Sequence, residues 1–429
     1  MFNPYIALLF VSILVILSYL FDIASKKWKV PSVLFLLGTG VALKQISIYY
    51  NIDIGENFFS YLHFLGIIGL IMIVLEAAVD LDIKRSKIPM IRKSALLALL
   101  VLIISSISIG VAIMYILDEP FFNCLIYAIP LSVVSSAVLI PSVHTLTEEK
   151  KEFLIYESTF SDIIGIMFFN YVVLQEAEIF TIGSSLTILS TIAFSIIISF
   201  ILVYLFSLIK TEIKIFLMLS ILLFLYAVGK EMHQSPLLMV FVFGLVLNNS
   251  RLVFFGKIGK KINFHAVETI KKDFRIITAE TAFLVRTFFF VAFGMLLDFN
   301  TFLDPLVLIV GTIIVLILYI VRYLNFKTFL HTSVFPEIFL APRGLITILL
   351  FFQIPAAYEI AQFGVGILFF VILATGLIMM AALIATPNTD VEDLTVFDFG
   401  LGPSSDHANI DVIGRYSEYD DLLTHDDEE

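Results

Sequence analysis

Two carboxylates five positions apart in an apolar run are the residues best placed to do chemistry in this sequence. The run YESTFSDIIGIMFFN carries Glu157 and Asp162, and at 100° per residue that separation turns them about 140° apart around a helix. They therefore face different neighbours. Ser158 lies four residues before Asp162 and shares its face, while Ser161 lies four after Glu157 and shares that one. One carboxylate can line a cavity beside a hydroxyl while the other pairs with a fixed cation. Desolvation favours the neutral form of a carboxylate, so a cavity-facing acid would hold either a proton or a cation at cellular pH. That competition is the chemistry of an exchanger. Two acids satisfied by nearby hydroxyls would use the same residue types in a purely structural role.

The other ionisable residues inside apolar blocks are Glu76, Asp80, Glu280, Arg286, Arg322 and Arg343. Each costs about 2.5 to 3.5 kcal/mol at the centre of a membrane helix on insertion scales, so each needs a partner or a route to water. Glu76, Asp80 and Glu280 lie toward the ends of their blocks, where a side chain is expected to snorkel to the interface.

The elements that position these residues are spanning helices. Sixty per cent of the 429 residues are hydrophobic and only 15% are charged, with a mean hydropathy of +1.02. Soluble domains do not reach these values. The apolar residues fall in blocks long enough to cross roughly 30 Å of hydrocarbon at 1.5 Å per residue. The expected spans are 4–22, 30–43, 60–79, 94–117, 122–146, 154–174, 184–209, 213–229, 234–250, 275–297, 304–326, 335–354 and 360–385, about thirteen helices in all. The first has no basic leader or small-residue cleavage site and is expected to be retained. Cys124 is the one cysteine, so no disulfide or thiolate cluster forms within one chain.

An odd number of spans puts the termini on opposite sides. Twenty of the 26 Lys and Arg lie in one alternating set of loops, from Lys26 through Lys150 and Lys271 to Lys327, and only Lys44 and Lys230 lie in the other. Basic residues mark cytoplasmic loops, so the N-terminus is expected outside and the C-terminus inside. Much of the net charge of −11 lies in the final stretch, which includes DVED and ends in DDEE. Residues 1–385 are thus read as a transmembrane domain and 386–429 as an acidic, flexible cytoplasmic tail, either solubilising or able to bind a cytoplasmic partner.

Thirteen spans also divide as six, one and six, and an odd linker helix inverts the two six-helix units in the membrane. On this scheme the fifth and twelfth spans correspond. The fifth holds Pro130, Ser135, Ser136 and Pro141; the twelfth holds Pro336, Pro342, Arg343 and Gly344. The expected fold is an all-α polytopic membrane protein with a six-plus-six inverted repeat and two broken crossing helices. Breaks at matching positions free backbone carbonyls and amides near the midplane, where an ion needs ligands.

At this point the residues resemble those of the monovalent cation/proton antiporter superfamily, the sodium/proton exchangers. The electroneutral branch reads E-S-x-x-N-D in the sixth span, and ESTFSD places Glu157, Ser158, Ser161 and Asp162 at that spacing. VRYLNF with Arg322, followed by APRGLITILL with Arg343, is similar to a second signature. LEAAVDLDIK and FFFVAFGMLLDF are similar to further stretches. The resemblance implies that Asp162 alternately binds cation and proton with Ser158 beside it, that Glu157 and Arg322 form a structural ion pair, and that Arg343 balances charge at the helix break. It implies a homodimer in the lipid bilayer of the cell (inner) membrane, serving pH homeostasis, with no cofactor besides the transported ions, no enzyme activity and no nucleic-acid partner.

Two departures bear on the ion. The family's Thr-Asp-Pro at the fifth-span break is replaced by Val134, Ser135 and Ser136, and its Asn before the key aspartate by Ser161. A single acid points to one-for-one exchange, with the hydroxyls of Ser135, Ser136 and Ser161 as further ligands. Sodium is the first expected cation, and potassium and lithium stay open. The competing function is a cation channel or membrane sensor on the same scaffold. An organic-anion carrier is disfavoured by the charge of Asp162, and an ATP-driven pump by the absence of a G-x-x-x-x-G-K-S/T loop.

Overall fold

A computed structural model describes residues 4–50, 57–81, 85–143, 146–174, 190, 193–204, 215–232, 236–254, 264–297, 302–330 and 335–386. Among them all regular structure is helical. The expected tail, 386–429, lies almost wholly outside the described residues. In chain order the helices are α1 (Pro4–Trp28), α2 (Ser32–Tyr49), α3 (Asn57–Asp80), α4 (Ile88–Leu117), α5 (Phe121–Ser132), α6 (Ser136–Leu139) and α7 (Glu148–Leu174). There follow α8 (Ala193–Tyr204), then α9 (Ile215–Glu231), α10 (Pro236–Asn248), α11 (Ser250–Val253), α12 (Phe264–Leu296), α13 (Pro305–Leu330), α14 (Leu345–Phe351) and α15 (Val365–Ala385).

Six runs among the described residues are long and apolar enough to span a membrane: Ser32–Tyr49, Ile88–Leu117, Phe121–Ser142, Lys271–Leu296, Pro305–Phe329 and Val365–Ala385. Helix α7 is not among them, because Glu157, Asp162 and a charged first turn lower its hydropathy. Several helices outrun their apolar blocks. The α4 helix begins at Ile88 rather than 94, and α12 at Phe264 rather than 275. Backbone hydrogen bonding continues past the last apolar residue into the interface, which hydropathy does not register.

The largest differences from the expected spans are the two interruptions. The fifth span is not one run over 122–146: α5 stops at Ser132, Val133 is extended at φ −70° and ψ 128°, and helix resumes only for Ser136–Leu139. Pro130 inside α5 has no amide to bond to the preceding turn. The twelfth span is not helical from 335; its helix is Leu345–Phe351, preceded by turn and irregular backbone over 335–344. Pro336, Pro342 and Gly344 lie in that non-helical stretch.

Helices pack here without help from water, since lipid is as apolar as a leucine, so close backbone approach matters. Where α2 meets α12, a Cβ on Gly40 would lie 2.0 Å from the Val291 carbonyl oxygen, and one on Gly294 would lie 2.4 Å from that of Leu37. Only glycine allows the two backbones to touch. Helices α2, α3, α10 and α12 pack along one another, and α4 packs along α5, α7 and α13, with α13 also against α15. The interrupted stretches belong to the second group.

Candidate functional site

The interruption between α5 and α6 creates backbone groups without intrahelical partners, and inside a membrane each must be satisfied by protein. The amide of Val134 donates to Ser161 Oγ at 2.9 Å. That of Ser135 donates to the Pro342 carbonyl at 2.9 Å, joining the two interrupted stretches directly. The Ser136 amide donates to Asp162 Oδ2 at 3.0 Å, and Ser136 Oγ donates to the same oxygen at 2.5 Å. Two consecutive residues of α7, Ser161 and Asp162, therefore fasten the break.

The freed carbonyls of α5 are met from the other stretch. Arg343 Nε donates to Leu131 O at 2.9 Å and its Nη2 to Ser132 O at 3.4 Å, while Nη1 returns to Ala341 O at 2.5 Å. A fixed positive charge thus sits on the negative end of α5. The Arg343 amide donates to Thr375 Oγ1 on α15 at 3.1 Å. Gly344 lies against Ser135 so closely that a Cβ there would be 2.4 Å from Ser135 Oγ.

Asp162 is 1% exposed at this junction. Its Oδ2 carries both Ser136 bonds, whereas Oδ1 is buried with no hydrogen-bond partner among the described residues. Ser135 Oγ and Thr347 Oγ1 are buried in the same unpartnered condition. A buried oxygen without a donor is costly in a low-dielectric surround unless a proton or cation attends it. Among the described residues no three His, Cys, Asp or Glu side chains gather as a metal cluster. The chemistry available is one carboxylate with hydroxyl and carbonyl oxygens, hard ligands without a thiolate or imidazole.

One turn away, Glu157 is fully buried and takes two parallel bonds from Arg322 on α13, Nη1 to Oε1 at 2.7 Å and Nη2 to Oε2 at 3.0 Å. This fork geometry is the strong form of a charge-assisted pair. Arg322 also donates to the carbonyls of Glu337 and Leu340 at 3.3 Å, and its guanidinium lies 4.3 Å from the Phe326 ring centre. The turn at 337–340 is held by the same residue that neutralises Glu157.

The structure bonds Ser136 directly to Asp162, sets Ser161 on the neighbouring Val134 amide and places Ser135 against Gly344. Ser158 is different: its Oγ donates to Ile155 O on its own helix at 3.2 Å. Residue types and spacing leave Gly344 as a contact surface, Thr375 and Thr347 unmarked, and give Arg286 no partner. Arg286 carried a signal, being an arginine within the apolar part of α12. Glu76 does not simply reach for the interface, since its Oε1 is 3.7 Å from Arg286 Nη2. Glu280 is exposed and accepts a bond from Tyr19 at 2.9 Å. The Asp80 side chain lies outside the described residues.

A multi-pass helical bundle with two interrupted stretches locked together around a buried carboxylate defines an integral membrane protein of the ion-transporter type. The family model for the transmembrane region of sodium/hydrogen exchangers matches residues 11–386, and the chain belongs to that family. No curated protein sequence matches it significantly. Among solved structures, the fold is similar to that of the sodium proton antiporter MjNhaP1 from Methanocaldococcus jannaschii at pH 8. The TM-score is 0.68 at 18% identity, over 89% of this chain and 99% of that one. An electron-microscopy map of the same antiporter gives a TM-score of 0.62 at 20% identity, over 89% and 95%.

Proposed function

We propose that this protein is a secondary active antiporter that exchanges a monovalent cation for protons, with Asp162 as the group for which the two compete. The observation that carries the reading is the state of that carboxylate: one oxygen is pinned by Ser136 and the other is buried without a donor among the described residues, at the junction of the two interrupted stretches. A proton or a small cation can each complete it. Family membership supports the same reading.

Ser135, Ser136 and Ser161 frame the site, and Ser158 supports the helix beside it. Glu157 and Arg322 act as a structural pair, and Arg343 balances the carbonyl ends of α5. Because a single carboxylate carries the exchange, the stoichiometry is one for one and electroneutral, with sodium the first cation to test and potassium and lithium next. Access alternates as α5–α6, α7, α14 and α15 move against the remaining helices, and the spans together form a six-plus-six inverted repeat in which the two broken crossing helices correspond. The protein works as a homodimer in the cell membrane, N-terminus outside, and contributes to pH homeostasis.

A second reading, a cation channel or sensor, is favoured by one observation: serines stand where the family carries an acid at the α5 break. Proteoliposomes holding an internal pH dye separate the two. Addition of sodium, potassium or lithium is expected to drive proton movement without a membrane potential. A cation conductance with no proton movement would establish the channel instead.

A further inference from the structure

The described helices fall into two groups, α2, α3, α10 and α12 on one side and α4 to α7 with α13 to α15 on the other, and the groups touch each other sparsely. Arg286 is one of the side chains that bridge them, and it does so beside the residue that pins Asp162. Arg286 projects from α12, bonds its own helix through Nε to Ala282 O at 3.3 Å, and reaches Ala137 O on α6 with Nη1 at 3.0 Å. Its Nη2 lies 3.7 Å from Glu76 Oε1 on α3. Ala137 directly follows Ser136, the residue that pins Asp162. A guanidinium within an apolar block is costly without partners, and here two nitrogens hydrogen-bond to carbonyls of α12 and α6 while the third faces the carboxylate of Glu76 on α3 at ion-pair distance.

We propose that Arg286 is a positioning residue of the exchange reaction, a latch that holds α6 to α3 and α12 in the conformation seen here and releases the Ala137 carbonyl when the site changes the side it faces. Glu76 holds the guanidinium in place from α3. The inference rests on the alternating-access reading above, because a latch between the two groups matters only if they move. It assigns no ion contact to Arg286. Its effect is on the balance between the two facing states, and a bias on that balance alters how often the site is open to each side.

The test reads accessibility directly. In a Cys124→Ser, Ala137→Cys background, reconstituted in one orientation, an impermeant thiol reagent is applied from either side of the vesicle and the labelling rate at position 137 is measured. Arg286→Gln is expected to raise the rate from one side and lower it from the other. The ratio should change by about tenfold or more, the shift in an equilibrium constant expected of one hydrogen bond from a charged group. Glu76→Gln is expected to move the ratio the same way by less. Arg286→Lys, which keeps the charge but not the planar fork, should fall between wild type and Arg286→Gln. These two milder variants decide the matter if Arg286→Gln does not fold.

A ratio unchanged within twofold in folded variants overturns the latch, as does a change of both rates in the same direction. Cation-driven proton movement is measured in the same vesicles. A shifted ratio in the variants when wild-type vesicles show no exchange would sink the antiport reading and leave Arg286 as a latch on a conformational change alone. Exchange with an unshifted ratio would do the reverse.

Discussion

Arg322 and Glu157 offer the most quantitative test of how the site is held. Both are buried, at 1% and 0% side-chain exposure, and share two parallel bonds. Breaking a buried pair by removing one partner costs about 3 to 5 kcal/mol, because the remaining charge stays in low dielectric. The two losses should not be equal. Glu157→Ala leaves Arg322 bonded to the carbonyls of Glu337 and Leu340 and stacked over Phe326. Arg322→Ala removes all of these together, so it should lie at the upper end of the range and Glu157→Ala at the lower. Removing both partners leaves no orphan charge, and the double variant should cost less than the sum by about 2 kcal/mol, within the range of coupling seen for contacting residues. Thermal unfolding in detergent, followed by intrinsic fluorescence and by the fraction of monodisperse protein, measures all four forms. Losses that add within about 0.5 kcal/mol would show that the two side chains are not energetically coupled, and the structural role given to the pair would be wrong.

Gly344→Ala should destabilise the protein and impair exchange, because the new methyl would lie 2.4 Å from Ser135 Oγ, 2.8 Å from Ser135 Cβ and 2.9 Å from Val138 Cγ2. Such overpacking costs about 1 to 3 kcal/mol, and adding Ser135→Gly should restore part of the loss in thermal stability; no restoration would place the strain elsewhere. Ser136→Ala removes the hydroxyl donor to Asp162 Oδ2 but keeps the amide bond. Losing that donor leaves the carboxylate less well held, so at fixed pH the apparent cation affinity should weaken by up to about tenfold. For wild type and variant alike, cation affinity should fall as the medium is acidified. An affinity independent of pH would refute competition for one group.

The acids of α7 were legible because their cost in a membrane is large and their spacing fixes their faces. The breaks were legible as well, from Pro130, Pro342 and Gly344, but their extent was not. Hydropathy sees an apolar run through 122–146 and cannot register that Val133 turns the chain out of the helix. The partnership of Ser136 with Asp162, rather than of Ser158, was hidden for a related reason. Helical periodicity ranks neighbours along one helix, and the decisive bonds come from a separate stretch of chain. Ser158 satisfies itself on its own backbone, a common habit of serine in helices. Arg286 was visible as a charge but not as a bridge, since its acceptor at Ala137 is a backbone carbonyl and leaves no mark in the residue types.

The account stands on Asp162, and one substitution tests it most directly. Asp162→Asn keeps the shape of the side chain and an oxygen able to accept both Ser136 bonds, but it removes the charge that a cation or a proton would neutralise. Reconstituted Asp162→Asn protein, folded and monodisperse, is expected to show no proton movement when sodium, potassium or lithium is added across a pH gradient, while wild-type vesicles respond. Full cation-coupled proton movement in the folded Asn variant would contradict the account and move the binding group away from α7.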